Sequence, residues 1–143
     1  MASTTFKSLT DTVFDSLEGY RKAAEKADNP HLKQALMSRL ERRSQTLEAM
    51  NAELQRQGDT LVTEGTVSGE LHRMWLTITD MFERGDEAAA ERVEGGETYL
   101  KSKFDAALEG DSLSAEERVV TRRCYDEVCE GVRFGTAIEA QFD

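Results

Sequence analysis

Apolar residues recur along this chain at the three- and four-residue spacings that place them on one side of a helix. From about Phe6 to Ala27 the stripe is Phe6, Val13, Leu17, Tyr20 and Ala24, with Leu9 and Phe14 beside it. Asp28-Asn29-Pro30 interrupts it. Proline suits a first helical position and pushes the preceding residue out of the helix, so Asn29 reads as a cap. The second segment, about Pro30 to Gln57, carries Leu36, Leu40, Arg43, Leu47, Met50 and Leu54 in a strict four-three alternation, and Gly58-Asp59 ends it. Asp59 to Gly69 is irregular, with glycines at 58, 65 and 69 and Thr66 or Ser68 as candidate caps.

A short helix, Glu70 to Phe82, follows, carrying Leu71, Met74, Trp75, Ile78 and Phe82. Glu83-Arg84-Gly85-Asp86 breaks it, and Asp86 reads as the cap of the next helix. That third long helix, about Asp86 to Leu108, has Val93, Glu97, Leu100, Phe104 and Ala107 on its stripe. Ser114-Ala115-Glu116-Glu117 has the form of a capping box. The fourth long helix then turns Val120, Cys124, Val128, Gly131 or Val132, Gly135, Ile138 and Phe142 inward.

Four long helices with a short one between the second and third predict an all-α fold. The short link at 28 to 30 makes the first two helices an antiparallel pair. A connection as long as the one after Gln57 can cross from one end of a bundle to the other. No repeat, low-complexity tract or linker divides the chain, so residues 1-143 read as a single domain.

Charge and composition narrow the functional classes. The chain has 143 residues and a net charge of −10. That balance repels phosphate backbones and anionic bilayers, so neither nucleic acid nor a membrane is an expected partner. The start shows no signal-peptide run, and no stretch is apolar enough to span a bilayer, so a cytoplasmic protein is expected. Cys124 and Cys129, five apart on one helix, sit roughly 140° apart around its axis and read as reduced.

Two residues contradict the apolar register they occupy. Arg43 stands on the seam of the second helix and Glu97 on that of the third. A charge on a buried stripe is costly unless it meets an opposite charge, a metal or a proton. The stretch Glu94-Gly95-Gly96-Glu97-Thr98-Tyr99 is therefore where a site is sought.

Three motifs carry a resemblance: Glu18-Gly19-Tyr20, Gly95-Gly96-Glu97 with Tyr99, and the run Gly65-x-x-x-Gly69-x-x-His72-Arg73-x-Trp75. Over roughly Leu9 to Ile138 the chain resembles the ferritin-like superfamily, and within it a small bacterial four-helix family catalogued as a domain of unknown function. The resemblance implies a ferritin-like four-helix bundle with a short extra helix in the crossover between helices 2 and 3. It implies no assigned activity, and any link to stress or stationary-phase physiology comes only from the kind of family it resembles.

Di-iron members of the superfamily take one Glu from each of two helices and a Glu-x-x-His from each of the other two. Carried over, Glu18 and Glu97 match the single-Glu positions as metal ligands. The other half is missing: Glu41 is followed three residues on by Ser44, and Glu127 by Glu130. His31 and His72 lie elsewhere, at the start of helix 2 and in the crossover. The expectation is an internal ion-pair network of Glu18, Arg43 and Glu97, with Arg39 or Arg123 as further candidates, in place of iron. The expected function is a non-enzymatic bundle without a cofactor, a possible homo-oligomer with an unknown protein partner. The alternative is a carboxylate-only site for iron or another divalent metal, or a di-iron-type oxidoreductase, using Glu18, Glu97 and Glu41, Glu127 or Glu130.

Other features have plainer readings. Trp75 and Met74 are expected to close one end of the core with His72 and Arg73 at its rim, and Tyr20 and Tyr99 to be core rings whose hydroxyls bond carboxylates. Gly131 and Gly135 suggest a close helix contact.

Overall fold

The computed structural model describes residues 1–66 and 69–142. It is all-helical: α1 (Thr4–Lys26), α2 (Pro30–Arg56), α3 (Glu70–Met81), α4 (Asp86–Glu109) and α5 (Ala115–Gln141). A 3₁₀ turn, Phe82–Arg84, extends α3. These bounds follow the apolar periodicity to within one or two residues, because each stripe ends where proline, glycine or a capping side chain interrupts it.

The ends show how the chain punctuates itself. Asn29 caps α2, its side-chain oxygen accepting from the amides of His31 and Leu32. Ser114 and Glu117 form the reciprocal capping box at the start of α5. Gly58 follows α2 with φ of 75°, and Gly85 precedes α4 with φ of 123°, conformations that glycine adopts without strain. The expected cap at Asp86 is corrected: Gly85 is the cap residue and Asp86 the first residue of α4. Its carboxylate instead accepts from the amides of Asp28 and Asn29 at 3.1 and 2.7 Å, where the α1–α2 turn presents unpaired donors. Thr66 is no cap either, since its hydroxyl and amide both donate to Asp15. Ser68 lies outside the described residues.

The four long helices pack as a ring: α1 on α2, α2 on α5, α5 on α4 and α4 on α1. Neighbours in the ring are antiparallel. Arg39 of α2 meets Glu127 and Glu130, while Gln57 at the far end of α2 meets Glu117 near the start of α5. Asp86, opening α4, holds the end of α1. It follows that α2 and α4 run the same way, and the segment joining them must travel the length of the molecule. On that path α3 packs against α1 and α4.

Trp75 of α3, 2% exposed, seats α3 in this groove. A methyl group on Gly19 of α1 would lie 2.2 Å from its ring, and one on Gly96 of α4 would lie 3.5 Å from its indole nitrogen. Gly19 therefore lets one large ring enter the α1–α4 seam, while Gly96 meets the ring at ordinary contact distance. Phe6, Val13, Leu32, Leu36, Met50, Leu54, Val93, Leu100, Phe104 and Val128 fill the interior, each fully buried.

Candidate functional site

At mid-height of this core lies a fully buried guanidinium. Arg43 falls on the inner face of α2 because its spacing from Leu36, Leu47 and Met50 leaves it nowhere else to point. Its two terminal nitrogens grip Glu97 of α4, Nη1 to Oε1 at 3.0 Å and Nη2 to Oε2 at 2.5 Å. Nη1 also donates to Ser16 Oγ of α1 at 2.7 Å, and Nε donates to Glu127 Oε1 of α5 at 2.8 Å. One side chain thus reaches the other three long helices.

The network continues outward along α2 and α5. Thr46 donates to Glu127 Oε1 at 2.8 Å, and Arg39 donates to the Glu127 carbonyl at 3.0 Å and to its carboxylate. Arg39 and Arg42 both reach Glu130 Oε2, at 3.3 and 2.7 Å. Three arginines of α2 therefore face three glutamates of α4 and α5, so the chain of charges is neutral.

Burial and charge oppose each other here. Burial lowers the Arg43 pKa, but Glu97 and Glu127 outweigh it and hold the guanidinium well above its ordinary value. Nearby, burial first and Glu97 second push the Tyr20 phenol well above its usual value, with Arg43 opposing. The Arg43 guanidinium carbon lies 5.6 Å from the centre of the Tyr20 ring, and Trp75 packs on the same ring at 4.6 Å.

Of the expected trio, Arg43 and Glu97 meet and Glu18 stands apart. Ser16 and Tyr20 take the inner face of α1, and Glu18, two residues from each, points about 200° away. It pairs with Arg21 on the same helix, its side chain 31% exposed. Glu41 and Arg123 are exposed and outside the network, whereas Glu127 and Glu130 belong to it. Ser16 and Thr46 were missed, although both keep the register, three residues after Val13 and after Arg43.

The tyrosines divide. Tyr99 donates to the Glu70 carboxylate at 3.0 Å, but its ring is only half-buried and so is not the core ring expected, while the Tyr20 ring is fully buried and its hydroxyl has no partner among the described residues. Trp75 is buried as expected, with His72 at the rim 4.0 Å from Asp15. Gly131 makes room for the ion pair, since a methyl group there would lie 1.6 Å from Glu97 Oε2 and 2.7 Å from Arg43 Nη2. Its missing side chain is the space the carboxylate fills. Gly135 likewise admits the backbone of Glu94.

A family model described as "Domain of unknown function (DUF2383)" matches residues 1–110. The chain belongs to this family. No curated protein and no solved structure matches it. The DUF2383 match spans α1 to α4 and so includes Arg43 and Glu97, while Glu127, Glu130 and Gly131 of α5 lie beyond it.

The residues do not fit the metal pair that the ferritin-like resemblance implies. Both Glu97 oxygens are held by Arg43, and both Glu127 oxygens receive arginine donors. Carboxylates already neutralised by guanidinium leave no charge for a divalent cation to balance, and the cation would meet Arg43 at close range. Among the described residues no cluster of three His, Cys, Asp or Glu side chains could hold a metal, and no helix is long and apolar enough to cross a membrane.

Proposed function

We propose that this chain is a ferritin-like bundle in which an arginine stands where relatives of that superfamily hold metal, and that it works as a non-enzymatic helical module. The observation that carries this reading is the bidentate grip of the buried Arg43 on Glu97. The helix order supports the kinship: two antiparallel pairs, α1–α2 and α4–α5, are joined by a lengthwise crossover, the arrangement of ferritin-like bundles with one long connection. A guanidinium supplies the positive charge that clustered carboxylates require, yet it has no open coordination position and no redox chemistry. What it supplies is geometry, a single cation tying four helices together.

Metal analysis of protein purified after growth with added iron tests this. The expected outcome is far less than one equivalent of iron, unchanged by Glu97→Ala. Two equivalents that disappear in Glu97→Ala would overturn the reading in favour of a carboxylate metal site.

A further inference from the structure

The α1–α4 seam is occupied over only part of its length. At Gly19, Trp75 enters it; along the first turns of α1 it stays open as a groove of about 520 Å³. That volume lies within the range of small-molecule sites, about 300–1,000 Å³. The floor is Leu9 and Ala107, both buried, and Ser8 and Ala106 stand on opposite walls.

One end of the groove carries a cation. Tyr99 closes it, with its hydroxyl bonded to Glu70 and the Lys103 ammonium 5.1 Å from its ring centre. Lys103 makes no ion pair among the described residues, on a chain whose net charge is −10. A lysine in no ion pair, with the Glu70 carboxylate engaged by the Tyr99 hydroxyl beside it, stands at the end of a trough whose apolar floor is bordered by hydroxyl residues such as Thr5 and Thr12. It so complements a ligand with one negative charge and a largely apolar body. We infer that this groove binds an amphipathic monocarboxylate, its chain along Leu9 and Ala107 and its carboxylate at Lys103. The inference concerns a surface remote from Arg43 and stands independently of the metal question.

The test uses decanoate as the probe, by calorimetry and by amide chemical-shift mapping of the full chain, with circular dichroism as the control for folding. Expected are saturable binding and shifts confined to the start of α1 and the second half of α4. Lys103→Glu is expected to weaken binding about three- to tenfold, since it replaces a rim attraction with a repulsion. Ala106→Trp, which fills the trough from an exposed helical position, is expected to abolish binding. Decanol, with the same chain and no charge, is expected to bind more weakly. The inference is overturned by no saturable binding up to about 1 mM, by shifts elsewhere, by equal affinity in Ala106→Trp, or by decanol matching decanoate. Saturable binding of an acidic helical peptide in place of decanoate would also overturn it and make the groove a protein-docking surface.

Discussion

Two seams on opposite sides of the helix ring are held in contrasting ways. Between α2 and α5 the contacts are charges and hydrogen bonds: Arg39, Arg42, Arg43 and Thr46 against Glu127 and Glu130, and Gln57 against Glu117. Between α1 and α4 a third element intervenes, one indole ring seated on the bare backbone of Gly19. The first seam is specified by partners, since each donor must find its acceptor. The second is specified by shape, since only a missing side chain admits the ring. A charged seam is intolerant of losing one member, whereas a shape-fitted seam is intolerant of gaining an atom.

The largest effect should come from Arg43→Leu, which leaves Glu97 without its guanidinium and Glu127 with one fewer. Removing one partner of a buried pair costs about 3–5 kcal/mol, measurable by urea denaturation. The double variant Arg43→Leu/Glu97→Leu should recover part of that loss. A double variant no more stable than the single would show that shape, not charge, governs this seam too.

Next come the glycines. Gly131→Ala and Gly19→Ala should each cost roughly 1–3 kcal/mol through overpacking, by different routes. Gly19→Ala displaces the chain's single tryptophan and should shift its fluorescence. Gly131→Ala displaces the Glu97 carboxylate and should leave that emission in place. Equal emission shifts in both would erase the distinction between the seams.

Acid should loosen the charged seam first. At its base Glu117 is fully buried and accepts from the Ser3 amide and hydroxyl, the Ser114 amide and Gln57. Burial alone raises its pKa, but the Ser114 amide, Gln57 and Ser3 outweigh it and hold the carboxyl below the ordinary 4.5. A depressed folded value means the stabilisation is complete above 4.5 and is lost as pH falls through the lower folded value. Burial likewise raises Glu130, and Arg39 and Arg42 together bring it below the same reference. The unfolding free energy should therefore fall below pH 4.5, and Glu117→Gln should flatten that slope. The smallest effect belongs to Glu18→Gln, a half-exposed pair within one helix, expected to change stability by less than about 0.5 kcal/mol.

Legibility follows the same division. The helices and their inner faces could be read from spacing, because a 3.6-residue period leaves its mark on every turn. Arg43 and Glu97 were conspicuous as charges in apolar registers, and that they meet is a consequence of having nowhere else to go. The assignment of Glu18 failed because family position says which helix a carboxylate sits on, not which way it faces. Ser16 and Thr46 went unnoticed because small hydroxyl residues are unremarkable on a helix. The seat of Trp75 was hidden for a further reason: Gly19 signals only an absence, and nothing in the sequence says which ring will occupy it. Glu117 could be read as a cap, but its hold on Ser3 joins residues 114 apart and leaves no local signal.

The spacing of the Arg43 partners also bears on synthesis. Glu97 and Glu127 lie 54 and 84 residues after Arg43, so a growing chain exposes α1 and α2 well before either carboxylate exists. During that interval the nascent hairpin carries a bare cation in the middle of its apolar face. Such a charge resists burial against another nascent chain, as an inward-pointing lysine protects the edge of a sheet. The residue that ties the finished molecule together is thus expected also to disfavour pairing of unfinished chains, until its acceptors emerge from the ribosome.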